Sequence, residues 1–244
     1  MRELRALWRI ARVALHALHG LAIVVVTFRA LSVEQRRRRI QWWSARLFDL
    51  LGARLEVVGD VHPGATLLAA NHISWLDIAA IHAVAPHARF VSKAEVKHWP
   101  LINRLVDAGA TLYIERSRTR DAMRVVHEIA AALRAGETVA VFPEGTTTNG
   151  RTLLPFHANL LQAAISTATP VQPVALRFSD ATQPISTVAS YVGNTTLLQS
   201  VWSIARSHGL RVRVTLLLAE GSAHADRRAL ATRIRDLIGA ELAC

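Results

Sequence analysis

The amino-acid sequence predicts an α/β protein with a largely parallel sheet flanked by helices, preceded by an N-terminal helical segment. Three observations carry this expectation. From Leu55 onward, short apolar runs alternate with stretches of helical periodicity, the order in which βα units are written. Several of those runs, residues 66–70 and 138–142 among them, are nearly all apolar, as strands buried on both faces of a parallel sheet are. Before Leu55 the texture differs: residues 13–28 form an apolar run between Arg12 and Arg29, interrupted by His16 and His19.

As a helix that run would be ~24 Å long, shorter than the ~30 Å hydrocarbon core of a bilayer. Arg2, Arg5, Arg9 and Arg12 precede it as in a secretory signal, but no small-x-small cleavage site follows. Ser32-Val33-Glu34-Gln35 has the form of a capping box and predicts a second helix start. Ile40, Trp43, Leu47 and Leu51 then recur at helical spacing, with Arg37, Arg38 and Gln41 mostly elsewhere. Arginine set against tryptophan and leucine is the pattern of a helix lying in a lipid interface. Residues 1–51 are therefore expected to form a helical membrane anchor and residues 52–244 the α/β domain. A monotopic anchor is preferred, and a spanning one requires Arg12 and Arg29 to snorkel. The competing arrangement packs both helices on the globular body with their arginines solvated.

Within the body, residues 55–58 read as a strand and Pro63-Gly64 as a turn. Residues 66–70 are a buried strand that delivers Asn71-His72. Residues 77–84 are helical, and Phe90-Val91 begins a short strand. Pro100 opens a helix that Gly109 can end, and residues 111–114 form the next strand. Residues 119–134 are a helix with Val125, Ile129, Ala132 and Leu133 on one face, stopped by Gly136. The strand 138–142 follows, and residues 156–167, 171–178, 212–218 and 225–238 complete the alternation of strands and helices.

Composition narrows the chemistry. The 244 residues carry a net charge of +11, almost all from arginine, since Lys93 and Lys97 are the only lysines. Such a balance suits nucleic acid, anionic lipid or a phosphorylated substrate. No zinc-finger, RNP or leucine-zipper pattern is present, which argues against nucleic acid. The sole cysteine is Cys244, so neither an intrachain disulfide framework nor a cysteine acyl-enzyme is supported. There is also no Gly-x-Ser-x-Gly elbow, His-Glu-x-x-His pair, P-loop or Gly-x-Gly-x-x-Gly turn. Serine or zinc hydrolysis, ATP use and dinucleotide binding therefore have no basis in the sequence, and no metal or cofactor is expected. His127-Glu128 lacks a second histidine, and the scattered His62, His82, His87, His98 and His208 are given no role.

Two segments do carry chemistry. Asn71-His72-Ile73-Ser74-Trp75-Leu76-Asp77 sets a histidine and an aspartate five positions apart at a strand-to-helix turn. A histidine with a carboxylate partner is equipped to take a proton from a hydroxyl. Phe142-Pro143-Glu144-Gly145-Thr146 is a strand entering a Pro-Glu-Gly turn that ends in exposed amides beside a carboxylate. Each segment has a plainer reading: Ser74 and Asp77 as a capping box, His72 as a half-buried histidine satisfied by backbone, and Pro-Glu-Gly as an ordinary turn.

Two further blocks lie in order with these: Tyr113-Ile114-Glu115-Arg116 and Val171-Gln172-Pro173-Val174-Ala175. Together the four resemble the glycerophospholipid acyltransferases, specifically the bacterial 1-acylglycerol-3-phosphate (lysophosphatidate) acyltransferases, from about Leu55 to Leu218. The resemblance implies direct acyl transfer without a covalent intermediate. His72 would be the base and Asp77 its orienting partner, while Arg116, with Arg151, would grip the glycerol phosphate. Glu144, Gly145 and Thr146 would serve the substrate pocket, with amides near Gly145-Thr146 facing the oxyanion. The donor would be acyl-CoA or acyl-carrier protein, the acceptor a lysophospholipid, and the product phosphatidic acid. The place of action would be a membrane surface, the cytoplasmic face of the inner membrane. The chain departs from the family after the third block: where Phe-Lys-x-Gly is frequent, it has Phe156-His157-Ala158-Asn159. A point-charge lysine is thus replaced by a titratable histidine. Two alternatives stay open, acylation of another lysolipid such as a lyso-ornithine lipid, and a basic peripheral membrane-binding module with an inert body.

Overall fold

The computed structural model describes residues 1–93, 112–114 and 119–243. Helix α1 (Arg2–Ala22) runs on into a π-helical segment (Ile23–Thr27). Helix α2 (Val33–Leu51) starts with the expected capping box: the Gln35 amide donates to the Ser32 hydroxyl, and the Ser32 amide to the Gln35 side chain. It stops at Gly52, whose φ of 72° suits glycine. A Cβ at Gly52 would collide with the guanidinium of Arg9. That guanidinium donates to the carbonyls of Ala205 (2.9 Å) and Ser207 (2.8 Å), tying α1 to the body.

The sheet comprises β1 (Arg54–Val58), β2 (Thr66–Ala70), β3 (Arg89–Lys93), β4 (Leu112–Ile114), β5 (Thr138–Val141), β6 (Val171–Ser179) and β7 (Arg211–Leu216). Their spatial order is β1-β7-β6-β2-β5-β3-β4. Every neighbouring pair is parallel except β6 and β7, so the sheet is largely parallel as expected. Among the described residues the helices of the body are α3 (Leu76–Val84), α4 (Thr119–Arg134), α5 (Ala158–Ser166), α6 (Leu197–Arg206) and α7 (Arg227–Ala243). The helix expected over 100–109 lies outside the described residues. Helix α6 had no counterpart among the expected elements, although Thr196 and Gln199 form a capping box at its start.

Both faces of the sheet are covered, and alternation along β2 divides its side chains between two cores. Leu68 and Ala70 join Phe48, Leu51, Leu76, Ile81 and Ile204 on the side of α2, α3 and α6. Leu67 and Ala69 join Ile129, Leu133, Leu161, Ile234 and Ile238 on the side of α4, α5 and α7. This double burial is why β2 and β5 contain almost nothing polar.

The N-terminal helices differ in what their apolar residues meet. Leu47, Phe48 and Leu51 of α2 are buried in the core, where each contributes about 1.5–3 kcal/mol. The apolar stripe read on α2 as lipid-facing therefore turns inward, onto the protein. Helix α1 presents Ala6, Arg9, Val13, His16 and Gly20 inward, while its Leu4, Trp8, Leu15 and Leu18, and Val25 and Val26 of the π-helical segment, are exposed. By length and composition, Arg2–Thr27 qualifies as a candidate membrane helix. The two helices meet at Gly20, where a Cβ would run into the Trp43 indole. The Trp43 Nε1–H donates to the His16 carbonyl (3.1 Å), and the His16 Nε2–H to the Trp43 carbonyl (2.9 Å).

Candidate active site

The site is assembled where β2 and β5 end. As β2 runs out, Asn71 extends its pairing with β6 by side chain: Oδ1 accepts from the Leu176 amide (2.7 Å) and Nδ2 donates to the Leu176 carbonyl (2.9 Å). The main chain is thereby free to turn at His72. Its direction is fixed from two sides, since the His72 amide donates to Glu144 Oε1 (2.8 Å) and its carbonyl accepts from the Thr148 amide (2.8 Å). The next carbonyl, of Ile73, accepts from the Tyr191 amide at 2.9 Å.

Asp77 lies in the first turn of α3 with no exposed surface. Its Oδ2 accepts from the amides of Ile73 (2.6 Å) and Ser74 (2.8 Å) and lies 2.8 Å from His72 Nδ1. Asp77 thus does both jobs that the sequence leaves open, holding the turn into α3 and facing the histidine. The Ser74 half of a capping box is absent: its hydroxyl accepts from the Leu76 amide (3.3 Å) instead of that of Asp77. A carboxylate only accepts, so Nδ1 carries the proton and Nε2 keeps its lone pair. The His72 side chain is 20% exposed and stacks on Phe142 at 3.9 Å. Asp77 Oδ1 is buried with no hydrogen-bond partner among the described residues. A carboxylate so poorly solvated attracts a neighbouring imidazolium strongly.

Glu144 is a clamp. It is buried, and while Oε1 holds the His72 amide, Oε2 accepts from the Leu154 amide at 2.9 Å. Burial pushes its carboxyl above the usual range, while the Leu154 and His72 amides pull the other way. The segment Leu153-Leu154 is anchored in turn by Arg235, which donates to the carbonyls of Leu153 (3.0 Å) and Leu154 (3.1 Å). The clamp's partners are backbone groups, and only the Pro-Glu-Gly turn hinted at them in the sequence.

The two amides offered for an oxyanion separate. That of Gly145, at φ 71°, donates to the Phe142 carbonyl (3.0 Å) and closes the turn. That of the exposed Thr146 has no acceptor among the described residues. The Thr147 hydroxyl donates to the Tyr191 carbonyl, tying the 180–196 loop to the turn. Arg151 is exposed beyond it. Arg116 lies outside the described residues, two positions after β4 ends at Ile114. Among the described residues no three histidine, cysteine or carboxylate side chains gather as a metal site would require. Ile78 (38%), next to Asp77, Leu154 (37%), whose amide meets Glu144, and Val192 (38%), next to Tyr191, leave apolar surface exposed.

Comparison with known proteins places this site in context. The acyltransferase family model matches residues 54–177, the segment containing His72, Asp77 and Glu144. A lyso-ornithine lipid O-acyltransferase of Pseudomonas aeruginosa is 36% identical over 203 residues, 83% of this chain and 78% of that protein. A 1-acyl-sn-glycerol-3-phosphate acyltransferase of Neisseria meningitidis is 38% identical over 185 residues, 75% of this chain and 71% of that protein. In fold, the chain is similar to the 1-acyl-sn-glycerophosphate acyltransferase PlsC of Thermotoga maritima, with a TM-score of 0.74 at 20% identity, across 100% of this chain and 97% of that one. With a model matched over half its length and relatives this similar, the chain belongs to the acyltransferase family.

Proposed function

We propose that the chain moves a fatty acyl group from acyl-CoA or acyl-carrier protein to the sn-2 hydroxyl of 1-acylglycerol-3-phosphate, forming phosphatidic acid. The observation that carries this reading is the His72–Asp77 pair, a solvent-reachable imidazole whose Nδ1 is held 2.8 Å from a fully buried carboxylate. His72 Nε2 takes the acceptor's hydroxyl proton as the oxygen attacks the thioester carbonyl, and Asp77 stabilises the imidazolium that results. When the tetrahedral intermediate collapses, the C–S bond breaks and the imidazolium returns its proton to the departing thiolate. A thiolate leaves readily, so base catalysis worth roughly 10²–10⁴-fold, added to positioning, is sufficient. Glu144 positions His72 through its amide, and the Thr146 amide is the donor left for the oxyanion. Arg116 and Arg151 take the phosphate, to which a planar guanidinium is suited.

A second reading, transfer to a lyso-ornithine lipid, is favoured by the longer alignment with the Pseudomonas relative and by His157 in place of a lysine. The purified protein, given acyl-CoA or acyl-carrier protein and each lysolipid in turn, should yield one dominant acylated product by mass spectrometry. No thioester consumption with any lysolipid would sink both readings and favour the inert membrane-binding module.

The outward stripe of α1 supports membrane association, proposed at the cytoplasmic face of the inner membrane. Arg12 lies 6.0 Å over the Trp8 ring, an arrangement suited to a lipid interface. Replacing Trp8, Leu15 and Leu18 together by serine should weaken sedimentation with anionic vesicles while leaving the melting curve unchanged.

A further inference from the structure

We infer that His157 is a specificity-determining residue that receives the anionic headgroup of the lysolipid acceptor; the inference rests on the acyl-transfer reading above. Two contacts bring this residue to the catalytic turn. Its amide donates to the Pro143 carbonyl at 2.8 Å, so the chain entering α5 folds back onto the turn. Its imidazole lies on the backbone of Gly145, where a Cβ would stand 3.0 Å from both Cδ2 and Nε2. Glycine at 145 therefore serves two ends, a φ of 71° and a bare surface for the ring. Gly145 stands between Glu144, which holds the His72 amide, and Thr146, whose own amide has no acceptor among the described residues.

The ring nitrogens of His157 differ from those of three histidines held by the fold. His16 faces the Trp43 carbonyl, His82 the Ala88 carbonyl, and His62 the Thr66 hydroxyl. These are histidines satisfied by the fold. The imidazole of His157 is exposed and has no hydrogen-bond partner among the described residues, yet it is held in place at the turn. A located but uncommitted donor is what an incoming anion requires. The need is electrostatic as well. Asp77 and Glu144 bury two carboxylates at this turn, and an anionic acceptor approaching them gains from a donor on the turn's outer side. Phosphate monoester and carboxylate share the chemistry this donor recognises. A neutral imidazole offers one N–H, and a protonated one offers two together with a charge.

The test compares wild type, His157→Ala and His157→Lys, which all keep the amide bonded to Pro143. Saturation by lysophosphatidate, by lyso-ornithine lipid and by acyl-CoA is measured for each. His157→Ala should raise the KM for the preferred acceptor about tenfold or more, with kcat and donor KM near wild type. His157→Lys should restore that KM, and a gain confined to lysophosphatidate would identify phosphate as the group bound, one confined to lyso-ornithine lipid its anionic carboxylate. A rise in donor KM alone would overturn the assignment and give His157 to the phosphates of CoA. A fall in kcat with acceptor KM unchanged would also overturn it, since the ring would then act only by bracing the turn. A wild type that acylates neither lysolipid would overturn the parent reading and this one with it.

Discussion

His72 and His82 stand at the two ends of one string of aromatic rings. His72 stacks on Phe142 at 3.9 Å, Phe142 meets Phe90 at 5.8 Å, and Phe90 meets His82 edge-on at 4.9 Å. Their remaining partners are opposite in kind. His72 faces the buried Asp77 carboxylate, whereas His82 Nε2 faces the neutral Ala88 carbonyl at 3.1 Å. With no counter-charge among the described residues, desolvation dominates at His82 and holds its imidazole down to about 4, although the carbonyl pulls the other way. Similar aromatic company thus surrounds a candidate base and a core histidine. Counter-charge separates them, together with an open edge for the second ring nitrogen.

The comparison breaks if exchanging the two histidines has equal consequences. His72→Ala should lower turnover by at least about a hundredfold while the protein melts as the wild type does. His82→Gln should leave turnover nearly untouched. A well-folded His72→Ala protein with near-normal turnover would remove His72 from the mechanism.

Asp77→Asn sharpens the contrast by removing the counter-charge alone. Turnover should fall roughly tenfold to a hundredfold, the size expected for a lost charged hydrogen bond of about 1.5–3 kcal/mol. Unlike His72→Ala, it should also cost about 1 kcal/mol of stability, because Oδ2 also holds the Ile73 and Ser74 amides. Urea melts of the two variants side by side separate these roles.

Glu144→Gln leaves either the His72 or the Leu154 amide without its acceptor, at a cost of about 1–3 kcal/mol. The raised carboxyl also sets a sign. Its contribution to stability is fully present below the ordinary value near 4.5 and declines as pH rises through the raised value. The variant's stability should lack that decline, which denaturant titrations across pH would detect.

At His82 the expected effect is on stability alone. Its pKa is depressed on folding from an ordinary 6.5 to about 4. As pH falls between those values the unfolded chain takes up the proton first, so stability is lost over that window. Melting temperatures of wild type and His82→Gln should converge as pH falls from about 7 to 4. Parallel curves would mean that His82 is solvated in the folded protein.

What could be read in the sequence was what is local. His72 and Asp77 lie in one short segment, and the turn between them brings the side chains together. The buried strand Thr66–Ala70 and the helix Thr119–Arg134 have the boundaries expected of them, the one ending before Asn71 and the other just before Gly136. What stayed hidden depends on backbone groups distant along the chain. Glu144 holds amides at His72 and Leu154, and every residue but proline has an amide, so no residue type announces that clamp. The stripe Ile40, Trp43, Leu47, Leu51 was legible as a face but not as an inward one. Periodicity defines a face, and only packing shows that Leu47 and Leu51 meet the sheet rather than lipid. The helix Leu197–Arg206 has no counterpart among the expected elements, although its capping box, Thr196 and Gln199, opens an amphipathic stretch.

The crossing of the first two helices has a mechanical consequence. Gly20 lets the Trp43 indole press against the backbone of α1, and paired hydrogen bonds with His16 fasten the contact. A few turns away, Arg9 fills the space beside Gly52. A helix pinned at two points along its length cannot swivel on its own. Any surface that takes hold of the outer side of α1 must turn the whole molecule, through Trp43 into Phe48 and Leu51. A first helix bound to a membrane would therefore work as a keel rather than a tether, fixing the heading of the His72–Asp77 pair.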